Sequence, residues 1–594
     1  MSVGGLSIEV KEPTHDAGEV VLKPSATVAQ DFDKVWMKPE EDLATRTSTC
    51  ASIDPARCVN CGTCREACPE DAIEEMQRPI CHTCPLCTDK PTLSPQAVDQ
   101  TATACSCTTA CPLHISPQGY IGLVKAGMPE AAFELIWNKS PLPSVCGSVC
   151  HHPCEDACKR GILVDFPMQI RALKKYLSVN EDVPVKRYPS IYDETIAVVG
   201  AGPSGLTAAH YLSQMGYKVT VFEQSGEVGD MLRQGIPAFR LDRTMIDRDV
   251  RRMTDAGLEI RLNERVDRAA VERLRNSYDV VVAAAGNPVS KELHLDGWRL
   301  AGVMPALSFM RQVNHGYDVE RHLGQIFKYK GGEAVVIGGG SVAMDAARTA
   351  VREGASKVTV VSLESCDQLP AHPWEIEEAK EEGITLLEGY SPVEFLSDVY
   401  PTLTGVKFAK VAKFEKDADG RIHFETDPND TMVLKADWAI QAIGQAPDEF
   451  WGAYRGERDV VFTGDMAGGP CSVVDAMAKG REAAIRIHEG LRGIRVKNAM
   501  ERQELHLAPV EEKIFPYNRL KIRRPEVPTL PVGERVLTFD EVEGVFDGDE
   551  ATLETKACLR CGYERVDPEK CIACGTCQRV CPKGDVITMV SKEQ

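Results

Sequence analysis

The chain lacks an excess of basic residues, a long apolar run and a leader-like start. Its 594 residues carry a net charge of −20, which argues against nucleic acid as a partner because such partners normally require a basic face. No apolar run approaches the ~18 residues of a transmembrane helix, so membrane insertion is not expected. The first residues, MSVGGLSIEVKEPTHD, have neither a basic segment nor an apolar core, so we expect no signal peptide and a cytoplasmic location.

Cysteine is nearly absent from the middle of the chain and concentrated at its two ends. Fifteen of the 23 cysteines lie within residues 50–158 and six lie within residues 558–581, which leaves only Cys366 and Cys471 between the two groups. A disulfide scaffold is typical of short secreted domains, and this chain is long and shows no export signal. Thiols at C-x2-C spacing in a reducing compartment are more typical of metal ligands, so we expect metal centres at both ends.

Both ends carry the same cysteine motif, C-x2-C-x2-C-x3-C-P. A structural zinc site uses two separated C-x2-C pairs, whereas three thiolates in one tight loop bind three corners of a [4Fe–4S] cubane. The fourth cysteine then ligates another cluster, or the fourth ligand comes from a distance. We therefore predict iron–sulfur clusters rather than zinc at both ends. The motif cysteines are Cys58, Cys61, Cys64 and Cys68 near the start and Cys571, Cys574, Cys577 and Cys581 near the end.

A further triplet, Cys81, Cys84 and Cys87, directly follows the first motif. Together the motif and the triplet look like a two-cluster ferredoxin unit. By that pattern Cys68 ligates the cluster of the triplet. The fourth ligand of the first cluster then stays open, with Cys50 as the nearest candidate.

Seven more cysteines form a third group within residues 105–158. The N-terminal region then holds fifteen thiols, one fewer than four cubanes require, so either one ligand is not cysteine or there are three clusters and spare thiols. The six C-terminal cysteines suffice for one cluster, whereas two would lack ligands. We expect at least three clusters in the chain, with five as the best estimate. The additional candidate ligands are Cys105, Cys107, Cys111, Cys150, Cys154 and Cys158, together with Cys558 and Cys561.

The middle of the chain carries a strong dinucleotide-binding pattern. A strand-like run at 196–199 precedes G-x-G-x-x-G, and an alanine-rich helical stretch and a second strand at 218–222 follow it. Such glycines let the backbone approach a pyrophosphate at a helix N-terminus, and Glu223 after the second strand can bind ribose hydroxyls. The glycines are Gly200, Gly202 and Gly205.

A second fingerprint repeats this pattern further along the chain. It follows the strand-like run 334–337, and Glu364 stands near the end of the next predicted strand at 357–361. Two dinucleotide sites in one chain indicate two dinucleotides, and FAD with a nicotinamide nucleotide is the usual couple. The fingerprint residues are Gly338, Gly340 and Ala343.

A later strand–helix turn, VFTGDMAGGP, contains Gly464 and Asp465. An acid at such a turn can bind the ribityl or phosphate hydroxyls of a flavin, and the alternative is that Asp465 only caps the helix that follows.

These residues together resemble the family of the NAD(P)H-dependent small subunit of glutamate synthase and its iron–sulfur flavoprotein relatives. The resemblance covers residues 105–490 and is carried by CGSVCHHPCEDAC, VVGAGPSG, MLRQGIPAFRLDR, GGGSVAMDAARTA, AIGQAPD and FTGDMAGGP. It implies a multidomain α/β fold of the pyridine nucleotide-disulfide oxidoreductase type, with two Rossmann-like domains and a helical iron–sulfur domain. GDEATLETKACLRCG, before the last motif, is similar to the family's extended members with ferredoxin-like modules.

The resemblance also implies roles for single residues. Hydride transfer between stacked rings needs positioning, and we expect no catalytic acid or base. The implied FAD contacts are Gly200, Gly202, Gly205, Glu223, Met231, Arg233 and Asp465, and the implied nicotinamide-nucleotide contacts are Gly338, Gly340, Ala343 and Glu364.

Four positions depart from the family pattern. Asp230 replaces a second glycine, Ser341 replaces the usual Asn, and CSCTTACP lacks a C-x2-C spacing. Lys174 or Lys175 falls near the place where some relatives have a Gln or Glu cluster ligand.

We expect eight segments along the chain. They are an N-terminal extension (1–45), a ferredoxin-like module (46–100), a helical iron–sulfur domain (101–190), the first part of the FAD domain (191–310), the NAD domain (311–450), the second part of the FAD domain (451–500), a linker (501–550) and a C-terminal ferredoxin module (551–594).

This set of cofactors predicts an electron-transfer subunit. Nicotinamide exchanges two electrons as hydride, clusters carry one each, and a flavin does both. We expect an NAD(H)-dependent oxidoreductase subunit that exchanges electrons with partner subunits, such as a thiamine-diphosphate 2-oxoacid:acceptor oxidoreductase, or with ferredoxin. The alternatives are a glutamate synthase small subunit, a flavin-bifurcating transhydrogenase subunit, and a cluster-bearing scaffold with a silent flavin site.

The second fingerprint also predicts a preference for NAD(H). Relatives that use NADP carry a tyrosine and two arginines at the end of this strand, where this chain has Ser362, Leu363 and Glu364. A carboxylate there accepts the ribose hydroxyls of NAD and repels a 2′-phosphate.

Overall fold

The structure is a computed structural model that describes residues 49–54, 58–59, 61, 63–68, 72–77, 106–185, 187–315, 331–365, 368–417, 422–494, 496, 523–559, 561–566, 576–584 and 586–591. Six predicted cluster ligands lie outside these residues, namely Cys81, Cys84, Cys87, Cys105, Cys571 and Cys574. No helix among the described residues is long and apolar enough to cross a membrane.

The strands are β1 (Thr49–Ile53), β2 (Ile73–Gln77), β3 (Thr195–Val199), β4 (Lys218–Phe222), β5 (Glu259–Arg261), β6 (Val280–Ala283), β7 (Val289–Ser290), β8 (Val303–Pro305), β9 (Glu333–Ile337), β10 (Lys357–Ser362), β11 (Thr385–Glu388), β12 (Tyr390–Leu396), β13 (Gly405–Lys416), β14 (Ile422–Lys435), β15 (Trp438–Gln441), β16 (Gln445–Ala446), β17 (Val460–Phe462), β18 (Gly562–Val566) and β19 (Ile587–Ser591).

The helices are α1 (Thr63–Glu66), α2 (Ser106–Ala110), α3 (Pro117–Lys125), α4 (Pro129–Trp137), α5 (Pro143–Val149), α6 (Pro153–Asp156), α7 (Lys159–Leu163), α8 (Ile170–Asn180), α9 (Pro203–Gln214), α10 (Met231–Gln234), α11 (Arg243–Asp255), α12 (Arg268–Ser277), α13 (Ala306–Asn314), α14 (Ser341–Arg352), α15 (Pro373–Glu381), α16 (Asp465–Gly468), α17 (Val473–Arg492), α18 (Val532–Arg535), α19 (Gly548–Thr555) and α20 (Thr576–Val580).

Two five-stranded parallel sheets form the centre of the molecule. Their strand orders are β17-β6-β3-β4-β5 and β11-β10-β9-β15-β8. The strands next to the glycine fingerprints, β3 and β9, are almost continuous runs of buried apolar residues, as expected where helices cover both faces of a parallel sheet. These sheets confirm the two predicted Rossmann-like domains.

The second sheet starts earlier in the chain than the sequence predicts. Residues 191–310 were expected in the FAD domain, but β8 pairs with β15 of the second sheet, with Val303 opposite Ala439. The following helix, α13, also packs in the core of this domain. β8 has only three residues and no adjacent fingerprint, so the sequence holds no local signal for where it pairs.

The helical region 106–180 shares one hydrophobic core with the FAD domain. That core includes Phe133 and Leu173 from the helical region together with Leu206 and Met477 from the FAD domain. Asp249 of α11 further joins the two, because its buried carboxylate accepts the N–H groups of Ser144 at 2.9 Å and Val145 at 3.0 Å at the start of α5.

The described part of the predicted linker, from residue 523, is packed rather than extended. Its Arg535 is buried and donates to Glu381 of α15 at 2.6 Å. Lys175 of α8 pairs with Glu541 at 2.9 Å. The proline-spaced sequence suggested a spacer, but these tertiary contacts hold the segment against the helical region and the second dinucleotide domain.

The two ends of the chain meet through paired strands. β1 is antiparallel to β19, with Cys50 opposite Val590, and β2 is antiparallel to β18, with Glu75 opposite Glu564. Cysteines from both motifs, Cys64 and Cys577 among them, share one small core. We expected 46–100 and 551–594 as separate modules, whereas their described parts form one body, because the strands of each pair with strands of the other.

Candidate functional site

The first glycine fingerprint forms the turn between β3 and α9. Gly200 has φ of +106°, and a Cβ on it would lie 2.5 Å from Ala284 O. A Cβ on Gly205 would lie 2.0 Å from Gly200 O, so only glycine lets the helix start this close to the strand. Gly202 is the N-cap of the twelve-residue α9. The turn therefore exposes backbone and a helix N-terminus to an anion, as a pyrophosphate site requires.

Glu223 lies directly beside this turn at the end of β4. Its buried carboxylate accepts the N–H of Ala201 at 2.8 Å and the N–H of Ser225 at 2.9 Å. Two backbone donors thus fix the carboxylate next to the fingerprint, where it fits the ribose hydroxyls of a dinucleotide.

Asp465 lies at the carboxyl end of β17 and completes the site from the other side. The Asn287 amide donates to Asp465 at 3.4 Å, and the N–H of Cys471 donates to it at 3.1 Å. Burial, followed by the neighbouring Asp465, raises the pKa of Cys471 to about 12. The buried Oδ1 of Asn287 has no hydrogen-bond partner within the described parts of the chain, so this pocket fits a polar ligand that completes it.

Asp230 brings another carboxylate to the same place. A Cβ on Gly202 would lie 3.5 Å from Asp230 Oδ2, and the residue itself has φ of +45°. Burial first, and then the charge of Glu223, raise the pKa of Asp230 to about 7 against the opposing effect of Arg311. The residue that departs from the family pattern therefore lies at the fingerprint itself.

Met231 and Arg233 follow Asp230 on the short helix α10. The Arg233 guanidinium donates to the Val228 carbonyl at 2.6 Å and pairs with Asp247. The contacts of Met231 and Arg233 with FAD remain predictions.

The second fingerprint repeats the geometry of the first. Gly338 has φ of +137°, and a Cβ on it would lie 2.4 Å from Ala442 O. Gly340 is the N-cap of α14, and Ala343 is fully buried in its first turn. Glu364 follows β10 and is only 5% exposed. This turn fits a second dinucleotide.

Cysteines of the two terminal motifs are neighbours in the paired-strand body. Burial raises the pKa of Cys61 to about 12 against hydrogen bonds from Thr63, and the charges of Cys58 and Cys581 add to the rise. Cys581 of the last motif is thus a neighbour of the first loop, while Cys68 shares a core with Cys577. Neighbouring thiols from two motifs are what a two-cluster ferredoxin requires, and the triplet 81–87, to whose cluster we assigned Cys68, lies outside the described residues.

A second group of thiols surrounds Lys174 in the helical region. Burial lowers the pKa of Lys174, but the thiols of Cys150, Cys146, Cys111 and Cys154 outweigh it, so the net shift is upward. An ammonium group therefore stands where some relatives place a Gln or Glu ligand. Our candidate ligands omitted Cys146, although its spacing of four from Cys150 was a signal that could have included it.

This group borders the FAD domain on one side and the ferredoxin body on the other. Cys146 Sγ lies 3.4 Å from Met477 Sδ on α17. On the other side, a Cβ on Gly119 of α3 would lie 2.6 Å from Cys61 Cα. The helical region that carries these thiols therefore contacts both the flavin domain and the ferredoxin body.

Four further described thiols line a separate, partly open pocket with about 340 Å³ of empty space. They are Cys107, Cys158, Cys558 and Cys561. No three His, Cys, Asp or Glu side chains in the described ranges are grouped for a single metal ion, and a cubane instead spreads its thiolates over four iron atoms.

Three known families match this chain. Residues 194–456 match pyridine nucleotide-disulphide oxidoreductase, and residues 96–183 match dihydropyrimidine dehydrogenase domain II, 4Fe-4S cluster. Residues 51–74 and 564–585 match the 4Fe-4S binding domain. These matches confirm iron–sulfur segments at both ends and a flavin and nicotinamide fold between them.

Several curated proteins are similar over most of the chain. The beta subunit of the NADP(+)-dependent formate dehydrogenase of Moorella thermoacetica is 31% identical over 77% of this chain and 70% of its own length. The NADPH-Fe(3+) oxidoreductase subunit beta of Geobacter sulfurreducens is 35% identical over 58% of this chain, which spans 51% of that subunit. The NADPH glutamate synthase small chain of Halomonas elongata is 31% identical over 64% of this chain and 86% of its own length.

The sequence resemblance, the two dinucleotide sheets and these matches agree with one another. The chain belongs to the family of glutamate synthase small-subunit-like iron–sulfur flavoproteins, in its extended form with ferredoxin-like segments at both ends.

Proposed function

We propose that this chain is the NAD(H)-dependent electron-transfer subunit of a multisubunit, low-potential oxidoreductase. The observation that carries the proposal is that one chain combines two dinucleotide fingerprints with the thiols around Lys174, which touch the FAD domain through Cys146 and Met477, and with the ferredoxin body. Bound FAD would exchange two electrons with the nicotinamide and single electrons with the clusters.

The chain's own residues contribute positioning in this scheme. Glu223 and Glu364 each stand at a ribose position, and Gly200 and Gly338 admit a pyrophosphate to the helix N-termini. The shared core of the helical region and the FAD domain holds the thiols around Lys174 against α17. Packing would therefore fix the distance from the flavin to a cluster bound by these thiols.

For the partner we propose a thiamine-diphosphate 2-oxoacid:acceptor oxidoreductase, with ferredoxin as an alternative electron carrier. The formate dehydrogenase beta subunit of Moorella thermoacetica, similar over 77% of this chain, favours a second candidate, a formate-oxidising partner. Affinity purification of the chain from its own source, followed by identification of the subunits that remain bound at high salt, distinguishes the two. Recovery of a large glutamine amidotransferase subunit would contradict both.

The nucleotide preference rests on Glu364. A Cβ on Gly339 would lie 3.2 Å from Glu364 Oε2, so the carboxylate lies at the fingerprint turn, and we propose that it faces the ribose of the bound nucleotide. There it would accept the hydroxyls of NAD and repel the 2′-phosphate of NADP. The three relatives described above carry NADP or NADPH in their names, so this proposal separates our chain from them.

Steady-state reduction of a one-electron dye with either nucleotide tests this preference. We expect kcat/KM to favour NADH by roughly tenfold to a hundredfold, because the repulsion between the Glu364 carboxylate and a 2′-phosphate held close to it amounts to a few kcal/mol. Glu364→Arg combined with Leu363→Arg should narrow or reverse the preference. Glu377→Arg, on an exposed position of α15, makes the same Glu-to-Arg charge reversal away from the fingerprint and should leave the ratio unchanged. Equal or better use of NADPH by the unaltered chain would defeat the assignment.

A further inference from the structure

Four cysteines from opposite ends of the chain meet in one cavity. Cys107 lies on α2 and Cys158 is the N-cap of α7, whereas Cys558 and Cys561 follow α19 near the C-terminus. All four line the same space of about 340 Å³, together with apolar side chains such as Ile121. A closed set of four thiols is the number that one cubane requires.

The two halves of this set are electrostatic neighbours. Burial raises the pKa of Cys158, and Cys561 adds to the rise against the N–H groups of Met168 and Arg160. The N–H of Met168 donates to Cys158 Sγ at 3.5 Å. Backbone N–H groups that donate to cluster-ligating sulfurs are among the features that set reduction potentials.

A buried network of charges holds the C-terminal pair in place. Arg160 donates to the carbonyl of Ala557, the residue before Cys558, at 2.6 Å and pairs with Asp165 at 2.7 Å. All of these groups are largely or fully buried. A buried charge network strongly resists the loss of one partner, so the backbone before Cys558 is fixed against the helical region.

A second charged pair clamps the same segment one turn earlier. Glu554 of α19 is fully buried, pairs with Arg524 and accepts the N–H of Gln169 at 2.8 Å. These contacts join the C-terminal segment to the loop between Cys158 and α8. The cysteines of both segments are therefore positioned before any ligand is bound.

We propose that Cys107, Cys158, Cys558 and Cys561 ligate one [4Fe–4S] cluster, which staples the C-terminal segment to the helical region. The six C-terminal cysteines then divide into two for this cluster and four for the ferredoxin body. The segment CSCTTACP lacks a C-x2-C pair, and in this proposal the C-x2-C of ACLRCG, about 450 residues later in the chain, supplies those two ligands.

The position of the cavity places this cluster between the other groups. Gln118 lines the cavity and its amide donates to the Val59 carbonyl of the ferredoxin body at 3.5 Å. The same helix carries Tyr120, whose pKa is raised well above its ordinary value by burial and then by Cys154, Cys111 and Cys107. The role of the cluster as a step toward the ferredoxin body rests on the proposed function, whereas its ligation does not.

The chain as purified with its clusters tests the ligand set without any substitution. Iron is removed stepwise with a chelator under anaerobic conditions, and newly exposed thiols are alkylated and located by mass spectrometry. We expect the four proposed ligands to become reactive together, as a set separate from Cys571, Cys574, Cys577 and Cys581. Exposure of Cys558 and Cys561 in step with that last motif would overturn the proposal, as would their alkylation before any iron is lost.

Substitutions provide a second test. Cys158→Ser and Cys558→Ser should each remove or alter the same single cluster signal in electron paramagnetic resonance, and the double variant should lose no more iron than either single variant. Additive losses of iron would show two different clusters and overturn the assignment. Cys366→Ser, outside both cysteine groups, should leave every cluster signal unchanged. Reduction of FAD by NADH in the unaltered chain tests the proposed function separately.

Discussion

The dinucleotide domains and the iron–sulfur regions are built in opposite ways. In each dinucleotide domain, a strand, a glycine turn, a helix and the next strand follow one another within about thirty residues, as in other βαβ units. In the iron–sulfur regions, β1 pairs with β19 and β2 with β18, and thiols from both ends of the chain line one cavity. The glycine turn of each dinucleotide site forms within a short segment, and the iron–sulfur sites need both ends of the chain.

The difference has a physical basis. A βαβ unit buries its own apolar strands under its own helix, so each half of the site forms locally. A terminal motif here supplies only half of the thiols and half of the strand pairing, so bringing its partner from the other end requires closure of a very long loop. Cluster binding and the buried ion pairs of the C-terminal segment then compensate for the entropy of that closure.

The largest expected effect is a loss of stability in the FAD domain, where one element comes from a distant part of the chain. The FAD domain has one distant element, α17, whose Gly480 packs against α9 so closely that a Cβ would lie 2.3 Å from Ser204 O. Gly480→Ala should therefore lower the free energy of unfolding by about 3 kcal/mol, the upper end for overpacking. Denaturant unfolding and the FAD content of the purified chain measure this loss.

Gly490→Ala is the matched control on the same helix. Among the residues that the structure describes, none lies within 4 Å of a Cβ at that exposed position, so the stability of this variant should be unchanged or higher by up to about 1 kcal/mol from helix propensity. Equal stability of the two variants would mean that α17 is not held against the fingerprint helix.

A smaller effect is expected where the ferredoxin body meets the helical region. A Cβ on Gly119 would lie 2.6 Å from Cys61 Cα, so Gly119→Ala should weaken this contact by about 1–2 kcal/mol. Reduction of FAD by NADH should stay normal, while subsequent electron transfer to the ferredoxin clusters slows. Rapid-mixing absorbance at flavin and cluster wavelengths separates the two steps.

The exposed Lys125, on the same helix as Gly119, offers the control. Lys125→Ala should leave both rates unchanged. If Gly119→Ala also left transfer unchanged, the ferredoxin body would not depend on this contact for its position.

The smallest expected effect is a pH-dependent change in FAD affinity caused by Asp230. It tests the dinucleotide side of the comparison, because Asp230 lies at the locally formed glycine turn. A raised pKa means that the folded protein holds the proton more tightly than the unfolded chain, so this group's contribution to stability falls as pH rises from about 4 to about 7. Ionised Asp230, flanked by Glu223 and Asp465 and opposed by Arg311, should also repel a pyrophosphate. The Kd of FAD should therefore rise above pH 7, by at most about tenfold per pH unit.

Asp230→Asn removes the titrating group at nearly constant shape. Its Kd for FAD should be flat over pH 6 to 8, and so should that of Asp230→Gly, which restores the usual glycine. Fluorescence titration of the apoprotein with FAD measures both, and an unchanged pH profile in Asp230→Asn would assign the dependence to another group.

Local patterns in the sequence were enough for much of this protein. The two fingerprints, the acids that follow their second strands and the repeated cysteine motif each lie within a short stretch of chain, where backbone sterics and ligand spacing allow few alternatives. They predicted the fold class, the family, and flavin and nicotinamide sites between iron–sulfur segments. No comparable local pattern marked β8 or the packed course of the chain after residue 523.

Only the tertiary structure decided which thiols stand together. The sequence put the triplet 81–87 next to the motif at Cys58, and the structure brings Cys581 from the other end of the chain beside Cys61, while Cys558 and Cys561 share a pocket with Cys107 and Cys158. A cysteine's spacing states how many corners of a cluster its loop can supply. Which distant segment supplies the rest depends on strand pairing and buried ion pairs between the ends of the chain, and these interactions leave no periodic signal in the sequence.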